Sequence, residues 1–286
     1  MSLKILNSKI DKSVNFIEEQ LVGFLESRFV RKTDDYFICY LSSQTGCNRG
    51  CAFCHLTTTG QTSFIDSTHN DFIGQTLQVF KHYKNEKTPA KYCHFNFMAR
   101  GEPLSNKLLL NSADELLIKL GQLARDEGLS SKFNISTIIP ENLKRSLPEI
   151  FKFVLPTIYY SLYSVREDFR KKWMPTAMPI EDALNLLKEY QDYSKKIIKI
   201  HYAFIRGEND SEEDLSLMCD MLDAKNLLCE FNLVRYNPAS KEQGEESLEE
   251  VIKERIEYLK TRIKGKVQII PRVGRDVFAS CGLFVS

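Results

Sequence analysis

No stretch of this 286-residue chain approaches the roughly 18–20 consecutive apolar residues that a membrane-spanning helix needs. The first 20 residues mix polar, acidic and apolar types and lack the apolar core of a secretion signal. Charge of one sign is also missing. The 39 Lys and Arg stand against 38 Asp and Glu, for a net +1, which excludes attachment to nucleic acid by bulk charge and leaves room only for a local basic face. The 13 glycines and 9 prolines are thinly spread, so nothing marks an interdomain linker, and no repeat or low-complexity tract is apparent. What is present is ordinary: 43% apolar and 27% charged residues, enough for a large core. These features lead us to expect a cytoplasmic, monomeric protein with no membrane partner. In a reducing compartment its eight cysteines read as metal ligands or catalysts rather than disulfides.

Apolar residues at Ile10, Val14, Ile17, Leu21, Phe24 and Leu25 have the spacing of one amphipathic helix, so residues 1–35 are expected to be a helical extension. From residue 36 onward, β-like and helix-like segments alternate. Strands are expected at 36–42, 92–98, 133–138, 158–162, 197–205 and 231–236, with a short last one at 267–270. Helices are expected at 71–83, 112–126, 143–154, 180–193, 211–223 and 248–262. That alternation predicts an α/β fold with a parallel sheet. Six main strands are too few for a closed eight-stranded barrel, so residues 36–286 are expected to form an open partial (β/α)6 barrel. Its functional groups would gather at the carboxyl rim.

Cys47, Cys51 and Cys54 form C-x3-C-x2-C on a short loop just after the first expected parallel strand. Three thiolates so close together can surround one inorganic centre. Structural zinc takes four ligands, usually as two separated pairs, and only His55 and His69 lie near enough to complete a set. A [4Fe–4S] cluster held by three cysteines leaves one iron open. This motif after strand one resembles the radical S-adenosylmethionine (SAM) superfamily, whose open iron binds SAM and cleaves it to a 5′-deoxyadenosyl radical.

Further segments are similar to the RlmN/Cfr family, which methylates adenine carbons in RNA: Ser42-Ser43-Gln44, Gly101-Glu102-Pro103, Trp173-Met174-Pro175, Tyr236-Asn237-Pro238 and Ser280-Cys281-Gly282, in family order. The resemblance implies a [4Fe–4S] cluster and SAM as cofactors. It implies contacts to SAM from Gly101, Glu102, Ser136, Ser161, Tyr163 and Asn237, all small or polar groups at expected strand ends. It also implies a pair of cysteines that act on the methyl group. Cys281 matches the methyl carrier. The second, which takes the ring proton and forms a disulfide with the first, is Cys39 when counted forward from Glu26 and Tyr40 when counted back from Ser42. Cys39 is preferred because tyrosine forms no disulfide, and a β-bulge would absorb the extra residue. Glu26 matches an acidic residue linked to proton handling.

Two motifs depart from the family: Arg100 precedes Gly101-Glu102, and Tyr163 stands where histidine is common. Only 35 residues precede the strand at Tyr36, where larger members carry an additional domain that grips structured RNA. The expected partners are an RNA, ribosomal or transfer, and an electron donor such as flavodoxin or ferredoxin. Candidate phosphate contacts are Arg166, Arg170, Lys171 and Lys172, the group Lys195, Lys196 and Lys199, and Arg272 with Arg275. The alternatives are a radical SAM enzyme acting on a free nucleotide, DNA or protein, and a non-catalytic iron–sulfur or zinc module that binds nucleic acid.

Overall fold

The computed structural model describes residues 2–285. One ten-stranded sheet runs through the molecule, with the strands side by side in chain order. The first three, β1 (Leu3–Asn7), β2 (Val14–Glu19) and β3 (Phe24–Val30), form an antiparallel meander that joins β4 (Tyr36–Tyr40). From β4 the sheet is parallel through β5 (Tyr92–Phe97), β6 (Ser130–Thr137), β7 (Thr157–Ser161), β8 (Ile198–Tyr202), β9 (Cys229–Val234) and β10 (Val267–Ile270). β1 and β10 remain unpaired with each other, so the barrel is open, as the strand count implied.

The helical extension expected for residues 1–35 is therefore replaced by strands. Turns break the apparent helical period. Asp11 caps the first through Ser13, and Gly23, at φ +71°, makes the second. Leu21, which a helix would have buried, lies at that turn, 94% exposed. Val14 and Phe16 alternate instead into the core beside helix packing.

Helices connect the parallel strands: α1 (His55–Thr58), α2 (His69–Tyr83), α3 (Lys107–Asp126), α4 (Leu147–Ile150), α5 (Glu167–Trp173), α6 (Ile180–Ser194), α7 (Glu212–Ala224) and α8 (Glu249–Arg262). The helix expected at 143–154 is confined to the four residues of α4. Its Pro148 fits the first turn, and the carboxylate of Asp114 accepts the backbone N–H groups of Lys152, Phe153 and Val154. Ser211 caps α7 by accepting from the Asp214 N–H, the arrangement its Ser-Glu-Glu-Asp sequence announced.

Side chains alternate strictly across the parallel strands. Phe37, Cys39 and Leu41, Cys93, Phe95 and Phe97, and Ile198, Ile200 and Tyr202 pack outward in the apolar layer shared with the helices. The intervening residues face the lumen, where many are polar: Tyr36 and Tyr40, His94 and Asn96, Asn134 and Ser136, His201, Asn232 and Gln268. A parallel strand covered on both sides is usually apolar throughout. This polar inner row is the exception that positions the site.

Candidate active site at the barrel rim

The loop after β4 is built to hold its cysteines in place. Cys47 N–H donates to Gln61 O, Ala52 N–H to Trp173 O and Cys54 N–H to Cys51 O. Cys47, Cys51 and Cys54 line one cavity at the carboxyl rim together with Gly101, Glu102, Ser136, Ser161, Tyr163, Asn237 and Cys281, which brings most of the expected site residues to one place. None of the three loop thiols is in a disulfide. Burial, then their mutual proximity, pushes Cys47 up to about 12 and raises Cys51 well above an ordinary thiol. Cys54 is raised chiefly by burial. Such neutral thiols lose their protons on ligating a metal. Among the described residues no three His, Cys, Asp or Glu side chains are gathered tightly enough for a single ion. A cluster, which presents a separate iron to each thiolate, fits this wider set better than one tetrahedral zinc. Neither histidine that would complete a zinc set lines this cavity. Phe284 N–H donates to His55 Nδ1 at 3.2 Å, and His69 lies 4.0 Å from Glu115.

The Gly-Glu-Pro turn is held by the Ser-Ser-Gln segment. Glu102 N–H donates to Gln44 Oε1 at 3.0 Å, and Asn106 Nδ2 donates to Ser43 O. Gly101 adopts φ +91°, and a Cβ there would meet Gln44 and the Ser43 hydroxyl at 2.7 Å. The Glu102 carboxylate accepts from Leu104 N–H (2.9 Å) and Ile138 N–H (3.1 Å), and its burial raises its pKa. Glu102 itself lines the cavity, and a carboxylate has more acceptor sites than these bonds use. Tyr163, at φ +55°, stacks on Phe53 with ring centroids 4.0 Å apart and so forms a wall of the cavity. Asn237 lines the same wall, but its amide is already committed: Nδ2 donates to Cys281 O at 3.0 Å and Oδ1 accepts from Arg272 Nε at 2.8 Å. Its observed task is to hold the Cys281 loop.

Glu26 and the departure at Arg100 explain each other. Glu26 is fully buried and pairs with Arg100 Nε at 2.8 Å and Arg28 Nη2 at 3.0 Å, while accepting from Asn15 Nδ2 and Val285 N–H. Burial alone would raise its pKa, but the two arginines and these hydrogen bonds lower it overall. Arg100 also donates to Thr45 O, Gln61 Oε1 and Val285 O, and Arg28 to Leu283 O. The clasp thus ties the N-terminal meander, the cysteine loop and the C-terminal tail together. Sequence reading singled out Glu26 but missed both arginines. Their one signal was the departure at Arg100, where a buried cation calls for a carboxylate.

The two cysteines expected to act as a pair are not brought together. Cys39 is fully buried on the outer, helix-facing side of β4, beside Thr76 and Cys93. Tyr40 faces the lumen, in the cavity that Cys281 also lines, and Cys281 and Arg28 both act on its hydroxyl. The expected bulge does not occur. Cys39 pairs with Phe95 and Tyr40 with Asn96, and the ladder continues unbroken with Leu41 N–H donating to Asn96 O. With no bulge, the one-residue insertion reverses the face. Cys39, expected to pair with Cys281, is thus placed on the face away from it, and both thiols are free. Cys281 is exposed at the seam of two cavities, and the surrounding walls push its thiol up to about 11, with Arg28 pulling the other way.

Residues 41–219 match the family model described as "Radical SAM superfamily". The chain belongs to the radical SAM superfamily. Its cofactors are accordingly a [4Fe–4S] cluster and SAM. Within the superfamily it is of the RlmN/Cfr type. It is 27% identical over 261 residues to "Probable dual-specificity RNA methyltransferase RlmN" of Desulforamulus reducens, covering 90% of this chain and 70% of the relative. It is 30% identical over 250 residues to "Dual-specificity RNA methyltransferase RlmN" of Lawsonia intracellularis, covering 85% and 65%. The crystal structure of a radical SAM methyltransferase from Sphaerobacter thermophilus superposes with a TM-score of 0.77 at 20% identity, covering 98% of this chain and 80% of that one. Cys47, Cys51 and Cys54 lie within the matched residues and line the rim cavity.

The basic candidates fare unevenly. Arg170 is buried and donates to Leu162 O and Met178 O, so it braces the fold rather than a phosphate. Arg166 pairs with Asp214, Lys172 with Glu208 and Lys199 with Glu230. Arg272 bonds Glu246 and Asn237 and so supports the Cys281 loop. No helix of the described residues is long and apolar enough to cross a membrane.

Proposed function

We propose that this protein methylates an adenine carbon, C2 or C8, in RNA, with Cys281 as the methyl carrier and a flavodoxin- or ferredoxin-like electron donor. The observation that carries the reading is the place of Cys281. It lines both the cysteine-bearing rim cavity and the polar inner chamber, so one sulfur can meet a cofactor from one side and a substrate from the other. The adenine ring carbons are electron-poor and do not attack a sulfonium methyl, whereas a thiolate does. The bound cluster and SAM supply a 5′-deoxyadenosyl radical that can activate an S-methyl group.

The chain's own groups do the rest. Glu102 and Gly101 form a cradle for the amino group of SAM, beside Ser136 and Ser161. Cys281 must shed its proton to accept a methyl group, and Arg28 favours the thiolate. Glu26 anchors Arg28 and Arg100 rather than moving protons itself.

Tyr40 stands where the family has its second thiol, and this favours one further reading: a radical SAM methylation with a different target or a different final step. Analysis of the anaerobically reconstituted, reduced protein with SAM tests both. The expected results are 5′-deoxyadenosine, one extra methyl mass on the peptide bearing Cys281, and a methylated adenine in RNA from cells that express the protein. No methyl on Cys281 under these conditions would exclude the carrier role. A methyl on Cys281 without methyladenine in RNA would favour the second reading. Replacing Cys47, Cys51 or Cys54 singly by Ala is expected to abolish the brown absorption of the cluster, measured by visible spectroscopy.

A further inference from the structure

A second groove, of about 820 Å³, meets the cysteine loop apart from the two cavities that Cys281 lines. We propose that this groove is the docking surface for an acidic one-electron donor protein, carrying a flavin or a small iron–sulfur centre. This deepens the function proposed above and rests on it for the need of such a donor.

Position carries the first argument. The groove is walled by residues 64–69, where α2 begins, by the start of α3 and by residues 142–145 ahead of α4. Arg49, between Cys47 and Cys51 in the loop, lines both this groove and the cysteine-bearing rim cavity. No residue of the inner chamber that Cys281 lines is shared with it. A partner seated here therefore touches the cysteine loop while the Cys281 side stays open to a substrate. Electron transfer through protein falls off steeply with distance, so contact with this loop is what a donor needs.

Charge carries the second. Arg49, Lys107, Lys144 and Arg145 line the groove, against one carboxylate, Asp66. Asp66 is already engaged, accepting from Gln44 Nε2 at 2.8 Å and Lys107 N–H at 3.1 Å. Arg49 donates only to the neutral side-chain oxygens of Asn48 and Asn142, and Arg145 to the carbonyls of Leu110 and Glu149. Lys107 and Lys144 are exposed and form no ion pair among the described residues. Elsewhere the cations facing solvent are often matched, as Arg166 is by Asp214 and Lys172 by Glu208. Lys107 also opens α3, whose first turn has no acidic residue, so the helix dipole adds to the positive field. Two polar atoms in the groove, Ser105 Oγ and His69 Nε2, lack a hydrogen-bond partner and are left for a ligand's acceptor or donor. Such a field steers an acidic partner and sets its orientation.

The apolar part of the groove separates protein from RNA. Ile65 is 44% exposed beside Phe64 and Leu108. Brief redox encounters use modest surfaces with an apolar centre inside a charged rim. A phosphate backbone would use the cations but gain nothing from Ile65, and it would lie away from Cys281. On docking, one electron leaves the reduced donor, which is oxidised, and enters the cluster, which is reduced. No bond or proton of this chain changes.

The test mixes the anaerobically reconstituted protein with reduced flavodoxin or reduced ferredoxin and follows bleaching of the visible cluster absorption. Lys107→Glu combined with Lys144→Glu is expected to slow bleaching about tenfold or more at low salt, and raised salt is expected to erase most of the difference. Lys253→Glu with Lys264→Glu, on the exposed α8 side, is expected to leave the rate unchanged. Dithionite needs no docking and is expected to give equal 5′-deoxyadenosine from all three proteins, which shows that each has folded and holds its cluster. Should the double variant not fold, Lys144→Gln alone is expected to slow the reaction in the same direction. The faster donor in the wild type distinguishes a flavin from an iron–sulfur partner. Equal rates in wild type and groove variants overturn the proposal, as does failure of both donors to reduce the wild type. Weaker RNA retention on a filter with unchanged donor rates overturns it too and gives the groove to RNA. A methylated Cys281 with equal donor rates sinks the groove alone. Slowed donor rates with no methyl on Cys281 sink the methyl-carrier role and leave the groove standing.

Discussion

Glu26 is the residue on which the most charge depends. Replacing it by Gln leaves Arg28 and Arg100 without their carboxylate in a dry environment, and breaking such a buried pair typically costs about 3–5 kcal/mol. E26Q is therefore expected to lower the unfolding free energy, measured by urea titration, by that amount. A group serving only in proton transfer would leave stability unchanged. Cys39 makes the opposite prediction. Cys39→Ala trims a buried side chain and is expected to cost only about 1 kcal/mol, leaving methylation of Cys281 intact by peptide mass. Tyr40→Cys brings a second thiol to the lumen. Mild oxidation of that variant is expected to link positions 40 and 281, a loss of two hydrogens by mass, whereas the wild type forms no link between Cys39 and Cys281. A Cys39–Cys281 bridge in oxidised wild type would show that our assignment of faces is reversed.

Among the elements, the parallel strands and their helices were legible because their periods of two and 3.6 are sustained and punctuated. The last strand, Val267–Ile270, coincides with its expected bounds. The N-terminal meander was not legible. Two short turns reset a two-residue alternation so that its apolar positions happen to fall at helical spacing. The face of β4 was readable in principle. Phe37, Cys39 and Leu41 alternate with Tyr36, Ile38 and Tyr40, and the covered outer face takes the more uniformly apolar set. Only the resemblance, which calls for a thiol at that position, pointed to the other face. The cysteine loop and the Gly-Glu-Pro turn were recognisable as motifs, but the clasp of Glu26, Arg28 and Arg100 was not, since its members are remote in sequence. At the turn itself, Gly101→Ala meets both a left-handed backbone and the 2.7 Å approach of Gln44 and Ser43. It is expected to cost at least about 2 kcal/mol and to weaken SAM binding, measurable by equilibrium dialysis with the reconstituted protein.

For the molecule as a whole, acid sensitivity should come in two stages. His94 and His201 have folded pKa values pushed down to about 4 from 6.5, so the unfolded chain takes up protons first. Stability present above pH 6.5 is lost as the pH falls toward 4, by up to about 3 kcal/mol per histidine. Glu26, lowered from 4.5, keeps its contribution above that pH and loses it only below. Urea midpoints measured across this range are expected to decline in that order, and His201→Asn is expected to flatten the first stage only. The tail has a practical corollary. Leu283 and Val285 are gripped by Arg28 and Arg100, and Phe284 between them lines the rim cavity. Truncation that removes Leu283–Val285 is therefore expected to loosen the clasp and expose one side of the rim cavity, which faster alkylation of Cys281, read by peptide mass, would show.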